Sequence, residues 1–216
     1  MRTLLIAFIL AGLALAQAPQ RPPSKQAPPP RKTPAGAPRA TPAVDPDEGS
    51  VSDDTYTNRF FGFEYTFPDH LDVRDQADFM QGQLDQSNRS FVLLAAFGDA
   101  PEGTGREGVV LLADSAAAYP DLPDAAAYLD RVARPAAEKQ RFQLLVAARP
   151  VQLAGQKFFR MDFRRDDLLQ SSIFTLRRGY ALGFTLIAPT ADRLQKLLDS
   201  LQTVKFTGVA APARTK

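Results

Sequence analysis

The chain has no cysteine and a single histidine, His70. Without cysteine there is no disulfide, no thiolate zinc site and no cysteine nucleophile. The lipid-modified cysteine of a bacterial lipoprotein is excluded too, so any membrane attachment has to come from charge or from protein contacts. One imidazole without a thiolate is a poor zinc site. A Ser-His-Asp system would have to use His70, which stands in Pro68-Asp69-His70 just after a strand ends, and no Gly-x-Ser-x-Gly elbow supplies a serine. The simpler reading of His70 is an exposed or locally bonded loop residue. The glycine-rich stretch from Gly98 to Gly108 lacks the lysine and following hydroxyl of a phosphate-binding loop.

Carboxylates need separate treatment, because calcium asks only for oxygen ligands. Asp69, Asp72, Asp75 and Asp78 recur every three residues, and Asp166-Asp167 form a further pair, but neither set matches the twelve-residue calcium loop. Aspartates at turns normally cap their own backbone or face water. No metal and no cofactor is therefore expected.

What is present begins with an export signal. Met1 to Ala16 has a basic start at Arg2, an uncharged run from Leu4 to Leu15, and the small-x-small pattern Ala14-Leu15-Ala16. Cleavage after Ala16 is expected; a cut after Ala18 fits the pattern but places Pro19 beside the scissile bond. Gln17 to Arg21 ends the apolar run short of the roughly 20 residues that span a bilayer, so no stable membrane span is expected after cleavage. An arginine pair near the start is missing, which favours the general secretory route. Residues 17–53 follow as a linker. Between Pro19 and Pro46, ten of twenty-eight residues are proline, and none is Leu, Ile, Phe, Met, Trp or Tyr. Such a segment cannot build a core and favours extended polyproline geometry, with a reach of roughly 85 Å when extended.

Charge divides along the chain. The linker carries Arg21, Lys25, Arg31, Lys32 and Arg39 with no acid before Asp45, whereas from Val51 onward there are 20 Lys and Arg against 21 Asp and Glu. The pI of about 9.0 therefore belongs to the linker and not to the domain. The linker reads either as a segment drawn to an anionic surface or, since its charges are sparse, as a solvated spacer. Nucleic acid is a poor partner for an exported chain with a near-neutral domain.

Residues 54–209 are long enough for one domain with a substantial core, and 210–216 read as a disordered tail. Phe63, Tyr65 and Phe67 alternate with Glu64 and Thr66 after a turn at Arg59 to Phe61, the period of a strand with one buried face. Phe91 to Phe97 and Val109 to Ala113 are short apolar runs that fit central strands. Asp124 is placed to cap a helix starting at Ala125, with Leu129 and Val132 inward and Pro135 kinking or ending it, a continuation to Arg141 being the alternative. Strands are then expected at 142–147, 156–164, 171–177 and 180–188, with 151–153 as a further short candidate. Arg178-Gly179 marks a tight turn. Thr190 caps a last helix with Leu194, Leu197, Leu198 and Leu201 on one side. The fold class is α+β: a mostly antiparallel sheet of about six to eight strands with helices packed on it.

The aromatic opening Tyr56-x-Asn58-x-x-Phe61-Gly62-Phe63-x-Tyr65-x-x-Pro68 resembles the start of PsbP-like domains, which include photosystem extrinsic subunits and bacterial envelope proteins of the DcrB kind. The order after it is similar as well: an apolar strand pair, a helix, a hairpin centred on Gly155, two long strands, and a C-terminal helix ending in Val204-x-Phe206. The likeness covers nearly all of residues 54–208. It implies an antiparallel PsbP-like sandwich. The superfamily has no common catalytic site, so no functional residue is carried over, and its members mostly bind or scaffold other proteins.

The candidate binding residues are Arg160, Asp162, Arg164 and Arg177. Strand period places the first three on one face, opposite Phe159, Met161 and Phe163, with Arg177 on the next strand. Arginine offers a planar fork suited to an acidic partner. The plainer alternative is a solvated face with Asp162 paired to its neighbours, worth little in stability. Phe60, Phe61, Phe63, Tyr65 and Phe67 read as core. Together these features favour an exported, non-catalytic envelope protein, periplasmic or secreted. Its domain would bind another envelope protein, or an anionic surface through the basic linker. A second reading is a carrier for a small apolar ligand held between sheet and helix by Phe174, Phe184 and Leu186. A hydrolase using His70 stands last.

Overall fold

The computed structural model describes residues 46, 49–73, 90–99, 107–119 and 121–207. The export signal, nearly all of the linker, Asp75, Asp78 and the tail at 210–216 lie outside the described residues. Among the described residues eleven strands run in chain order: β1 (Gly49–Ser52), β2 (Thr55–Asn58), β3 (Phe63–Thr66), β4 (Asp72–Val73), β5 (Ser90–Phe97), β6 (Gly108–Ser115), β7 (Gln143–Leu153), β8 (Gln156–Arg165), β9 (Leu168–Arg177), β10 (Tyr180–Ala188) and β11 (Lys205–Phe206). Helix α1 comprises Ala125–Tyr128, a π-helical turn at Leu129–Ala133, and Arg134–Lys139; α2 is Ala191–Ser200. The strands form two sheets, β1-β2-β3-β11 and β4-β5-β6-β10-β9-β8-β7. Every pairing is antiparallel. The expected antiparallel α+β architecture is the one observed.

Register decides which side chains share a face. Arg178 and Gly179 both have positive φ, of 50° and 82°, as a two-residue hairpin turn of the I′ kind requires. Tyr180 then lies opposite Arg177, and Phe184 opposite Ile173. One face of the large sheet thus presents Leu182, Phe184 and Leu186 of β10, Ile173 of β9 and Phe158 of β8. This face meets Tyr56, Phe63 and Tyr65 of the small sheet and Leu194, Leu197 and Leu201 at α2 in a single buried cluster. The Tyr65 and Phe184 rings meet edge to face at 5.1 Å. Burial pushes the Tyr65 hydroxyl up to about 12, against the opposing effect of its bond to Ser200. The other face carries Met161, Phe163 and Phe174 under α1, where Tyr128 lies 4.9 Å from the Phe174 ring.

Three local departures from the expectations have physical causes. First, β1 falls inside the segment read as linker. All four of its residues are exposed, so it has no apolar pattern, and backbone pairing to β2 holds it. Asn58 completes the junction by donating from Nδ2 to the Pro46 carbonyl at 3.0 Å. Second, Pro135 does not end α1, which continues to Lys139 because the π-helical turn resets the register just before it. Proline then sits in a first turn, where a missing N–H has no partner to lose. Third, the two strands expected around 142–153 are one edge strand, β7, whose register against β8 shifts twice between Leu144 and Arg149. Proline is tolerated there because an edge strand need not donate outward. The caps stand where expected: Asp124 accepts from Ala127 N–H at 2.9 Å and Thr190 from Arg193 N–H at 3.3 Å.

Beneath α1, Asp114 is buried and accepts from the Tyr128 hydroxyl. Burial lifts its carboxyl above the usual carboxylate range, with bonds from Tyr128, Ser90 and Tyr119 opposing. A carboxyl whose pKa rises on folding binds its proton more tightly in the folded state. Its contribution is therefore full below the unfolded value of about 3.9 and is lost as pH rises through the folded one. Asp114→Asn keeps an acceptor for Tyr128 and removes the charge. Urea midpoints measured from about pH 4 to about pH 8 should decline less steeply in this variant than in the parent chain.

Candidate functional site

The arginine row lies where β7, β8 and β9 run side by side. Arg160 is opposite Ile173, Asp162 opposite Ser171 and Arg164 opposite Leu169. Across the other edge of β8, the bulges in β7 bring Arg149 opposite Arg160 and Val146 opposite Asp162. Helix α1 packs on the far side of these strands, and α2 packs on β10 and β9. Polar side chains thus continue the face that is apolar under the small sheet.

Asp162 is the centre of the group. It is only 7% exposed, and it accepts from Arg160 Nε at 2.7 Å, from Arg149 at 3.3 Å and from the buried Ser171 hydroxyl. The arginines differ in what they have left to offer. Arg160 is committed to Asp162 and is largely covered. Arg149 is half-exposed, with one guanidinium nitrogen on Asp162. Arg164 is exposed and uses Nε on the Asp166 carbonyl at 3.1 Å. Met161 and Phe163 are fully buried on the opposite face, and Phe159 half-buried, in keeping with strand period.

Arg177 does not join the row. It stands four residues along β9 from Ile173, about 13 Å at the strand rise. Its Nε donates to the Phe61 carbonyl at 2.6 Å, and its guanidinium lies 4.5 Å above the Phe206 ring. Burial, helped by Arg178, lowers its pKa from the ordinary value, and one terminal nitrogen is buried without an acceptor. Arg177 braces the end of the β9–β10 hairpin against the β2–β3 turn.

Arg149 escaped the sequence reading because it fell between two expected strands. Charge counted by segment would have pointed to it. Residues 141–188, which hold β7 to β10, contain eight Lys and Arg against three Asp and Glu; residues 51–140 contain seven against sixteen. Charge is therefore unevenly divided along the near-neutral domain, with the basic excess in the segment that holds β7 to β10.

The other sequence candidates separate. His70 Nε2 faces Glu107 at 3.3 Å and Nδ1 lies 3.9 Å from Asp69, while Arg193 also reaches Glu107 at 3.5 Å. Those neighbours are carboxylates, and no serine bonds the ring among the described residues. No three His, Asp or Glu side chains converge as a metal site among the described residues. Phe174 faces α1, whereas Phe184 and Leu186 face the small sheet, so the three cannot line one pocket. Between α1 and the sheet, at Gln140, Gln170, Ser172, Phe174 and Thr185, there is a cavity of about 10 Å³, room for roughly one water.

No protein-family model matches this chain, and no curated protein matches it. In fold it is similar to the solution structure of cyanobacterial PsbP (CyanoP) from Synechocystis sp. PCC 6803, with a TM-score of 0.49 and 14% identity over 74% of this chain and 98% of that one. It is also similar to LpqN, involved in cell envelope biogenesis of Mycobacterium tuberculosis, with a TM-score of 0.37 and 12% identity over 68% and 83% of the two chains. A protein of unknown function from Pseudomonas aeruginosa matches with a TM-score of 0.34 and 20% identity over 67% and 99%. The likeness is one of fold alone. Among the described residues no helix is long and apolar enough to cross a membrane.

Proposed function

We propose that this chain is an exported, non-catalytic binding protein, a domain on a proline-rich lead, and that the β7–β9 face docks an acidic protein partner. The observation that carries this reading is the uneven division of charge, eight Lys and Arg against three Asp and Glu over residues 141–188. Arg149 and Arg164 stand exposed on that face while Asp162 and Arg160 hold the strands beneath them. Complementary potentials of this kind raise association rates and select partners more than they add raw affinity. The export signal places the partner outside the cytoplasm, and the linker gives the domain reach.

Titration of the purified chain with a fluorescent acidic peptide tests this reading. Arg149→Glu with Arg164→Glu should weaken binding by about tenfold or more at low salt, with the difference shrinking as salt screens the charges. Arg160 is left intact, because its partner Asp162 is buried. Arg131→Glu with Lys139→Glu on α1 makes the same net charge change at exposed residues away from the face and should have little effect. Equal weakening by both variants would reduce the effect to net charge and refute the face.

A further inference from the structure

Three polar side chains lie buried beneath α1, on the face of the large sheet that also carries Met161, Phe163 and Phe174. Ser172 of β9 stands opposite Thr185 of β10, and Gln170 is two residues from Ser172 on the same side. They are 2%, 1% and 7% exposed. Burying hydroxyls and amides costs free energy unless each finds a partner. Gln170 Nε2 donates to the Ser172 hydroxyl at 3.2 Å. That hydroxyl keeps its own hydrogen to donate, and the Thr185 hydroxyl can both donate and accept. The helix above offers little in return. Val132, Ala133, Ala136 and Ala137 bring no polar group, the Tyr128 hydroxyl is given to Asp114, and Gln140 remains. The backbone at Gln140 is fixed by a Schellman ending. Arg141, with a φ of 66°, donates to the Glu138 carbonyl at 2.9 Å, and Phe142 donates to the Ala137 carbonyl at 3.0 Å. The Gln140 Nε2 is buried and meets no acceptor among the described residues. Gln140, Gln170, Ser172 and Thr185 all line the cavity of about 10 Å³ between α1 and the sheet.

We infer that this cavity is a built site for a single water molecule, which accepts from Gln140 Nε2 and bonds the Ser172 and Thr185 hydroxyls. The conditions for an internal water meet here: a polar wall, room for about one molecule, and two to four partners. The water takes the hydrogens of Gln140 and Ser172 and gives one of its own to Thr185 Oγ1. A cation would face the Gln140 amide hydrogens, and an organic ligand exceeds the volume. Through this water the last turns of α1 are fastened to β9 and β10, where the alanines bury little apolar area of their own. The π-helical turn supplies the Val132 and Ala133 part of the wall, so the register change that admits Pro135 also shapes the site.

Magnetic relaxation dispersion of water ¹⁷O, which counts waters held longer than the tumbling time of the protein, tests this on the purified chain. Thr185→Val keeps the side-chain shape and removes the hydroxyl; Gln140→Met keeps the length and removes the donor. The parent chain should exceed the double variant Gln140→Met/Thr185→Val by one long-lived water, and equal amplitudes overturn the inference. Thermal melts give a second readout. Each single variant should lower the midpoint by about 2 to 4 °C, and the double variant by less than the sum, because the first loss already loosens the shared water. Strictly additive losses overturn the bridge. A donor buried to no purpose is relieved by its removal, so a midpoint raised by Gln140→Met overturns it as well. A crystal structure of the parent chain needs no variant. Density for one oxygen at roughly 2.7 to 3.2 Å from Gln140 Nε2 and from both hydroxyls is expected. A Gln140 amide turned to a protein acceptor, or an organic molecule in its place, refutes the site.

Discussion

Gly183→Ala is expected to lower the unfolding midpoint by roughly 6 to 12 °C. Gly183 sits in the middle of β10, a central strand with β6 on one side and β9 on the other. A Cβ there would fall 2.5 Å from Phe174 Cδ1 and well inside contact with the Ile173 carbonyl oxygen. Neither neighbour has an easy way out. The carbonyl belongs to the backbone of β9, and the Phe174 ring is held from the other side by Tyr128 at 4.9 Å. Overpacking of this kind costs about 1 to 3 kcal/mol and more where backbone has to move. We take the upper figure, about 3 kcal/mol, and a domain of this size loses about 2 to 4 °C per kcal/mol. Gly155→Ala is the control. Its φ is +72°, but a Cβ would meet nothing within 4 Å, so it carries only the left-handed backbone penalty of about 1 to 2 kcal/mol. Thermal melts followed by circular dichroism compare the two. Equal midpoints would mean that β9 and β10 do not approach as closely as described.

The same strand shows how far a sequence can be read. The apolar residues on both faces of β10 mark it as central, and the Arg178-Gly179 turn fixes the register from two residues alone. Once Arg177 lies opposite Tyr180, Phe174 must lie beside Gly183 and face away from Phe184. The apolar pocket of Phe174, Phe184 and Leu186 was thus excluded by counting through a turn that was already visible. Other features left no signal to count. β1 has one apolar residue in four and is held by main-chain bonds. The π-helical turn that accommodates Pro135 is a matter of backbone register, invisible in residue types. The bulges in β7 arise from its pairing with β8, and they alone bring Arg149 opposite Arg160. The arginine row itself was legible as a strand face. Its division into a buried anchor and exposed charges was not, because burial of Asp162 depends on Ser171 from the next strand. Arg177 matches the row in type and parity, but its position along β9 and the Phe61 carbonyl beside it give it a different task.

Asp162→Ala should separate the two tasks of the arginine face, lowering stability while strengthening the binding of acidic ligands. In the folded chain the carboxylate accepts from Arg160, Arg149 and Ser171. Its removal leaves a fully buried hydroxyl without that acceptor and Arg160 facing no charge, while half-exposed Arg149 turns to water. Deleting one partner of a fully buried pair costs about 3 to 5 kcal/mol. Both arginines retain access to solvent, so screening reduces the expected loss to about 2 kcal/mol, or roughly 4 to 8 °C in the midpoint. Replacing the set together, as Arg160→Met/Asp162→Leu/Ser171→Ala, should recover much of that loss, since no buried polar group of the set is then left without its partner and half-exposed Arg149 turns to water. Binding moves the other way in the single variant. Without the buried carboxylate, Arg149, Arg160 and Arg164 present an uncompensated positive face, and an acidic peptide should bind several-fold more tightly at low salt. A purely structural cluster would lose stability with no gain in binding, whereas a docking face whose charge is held in check by Asp162 has to show both changes in the same protein.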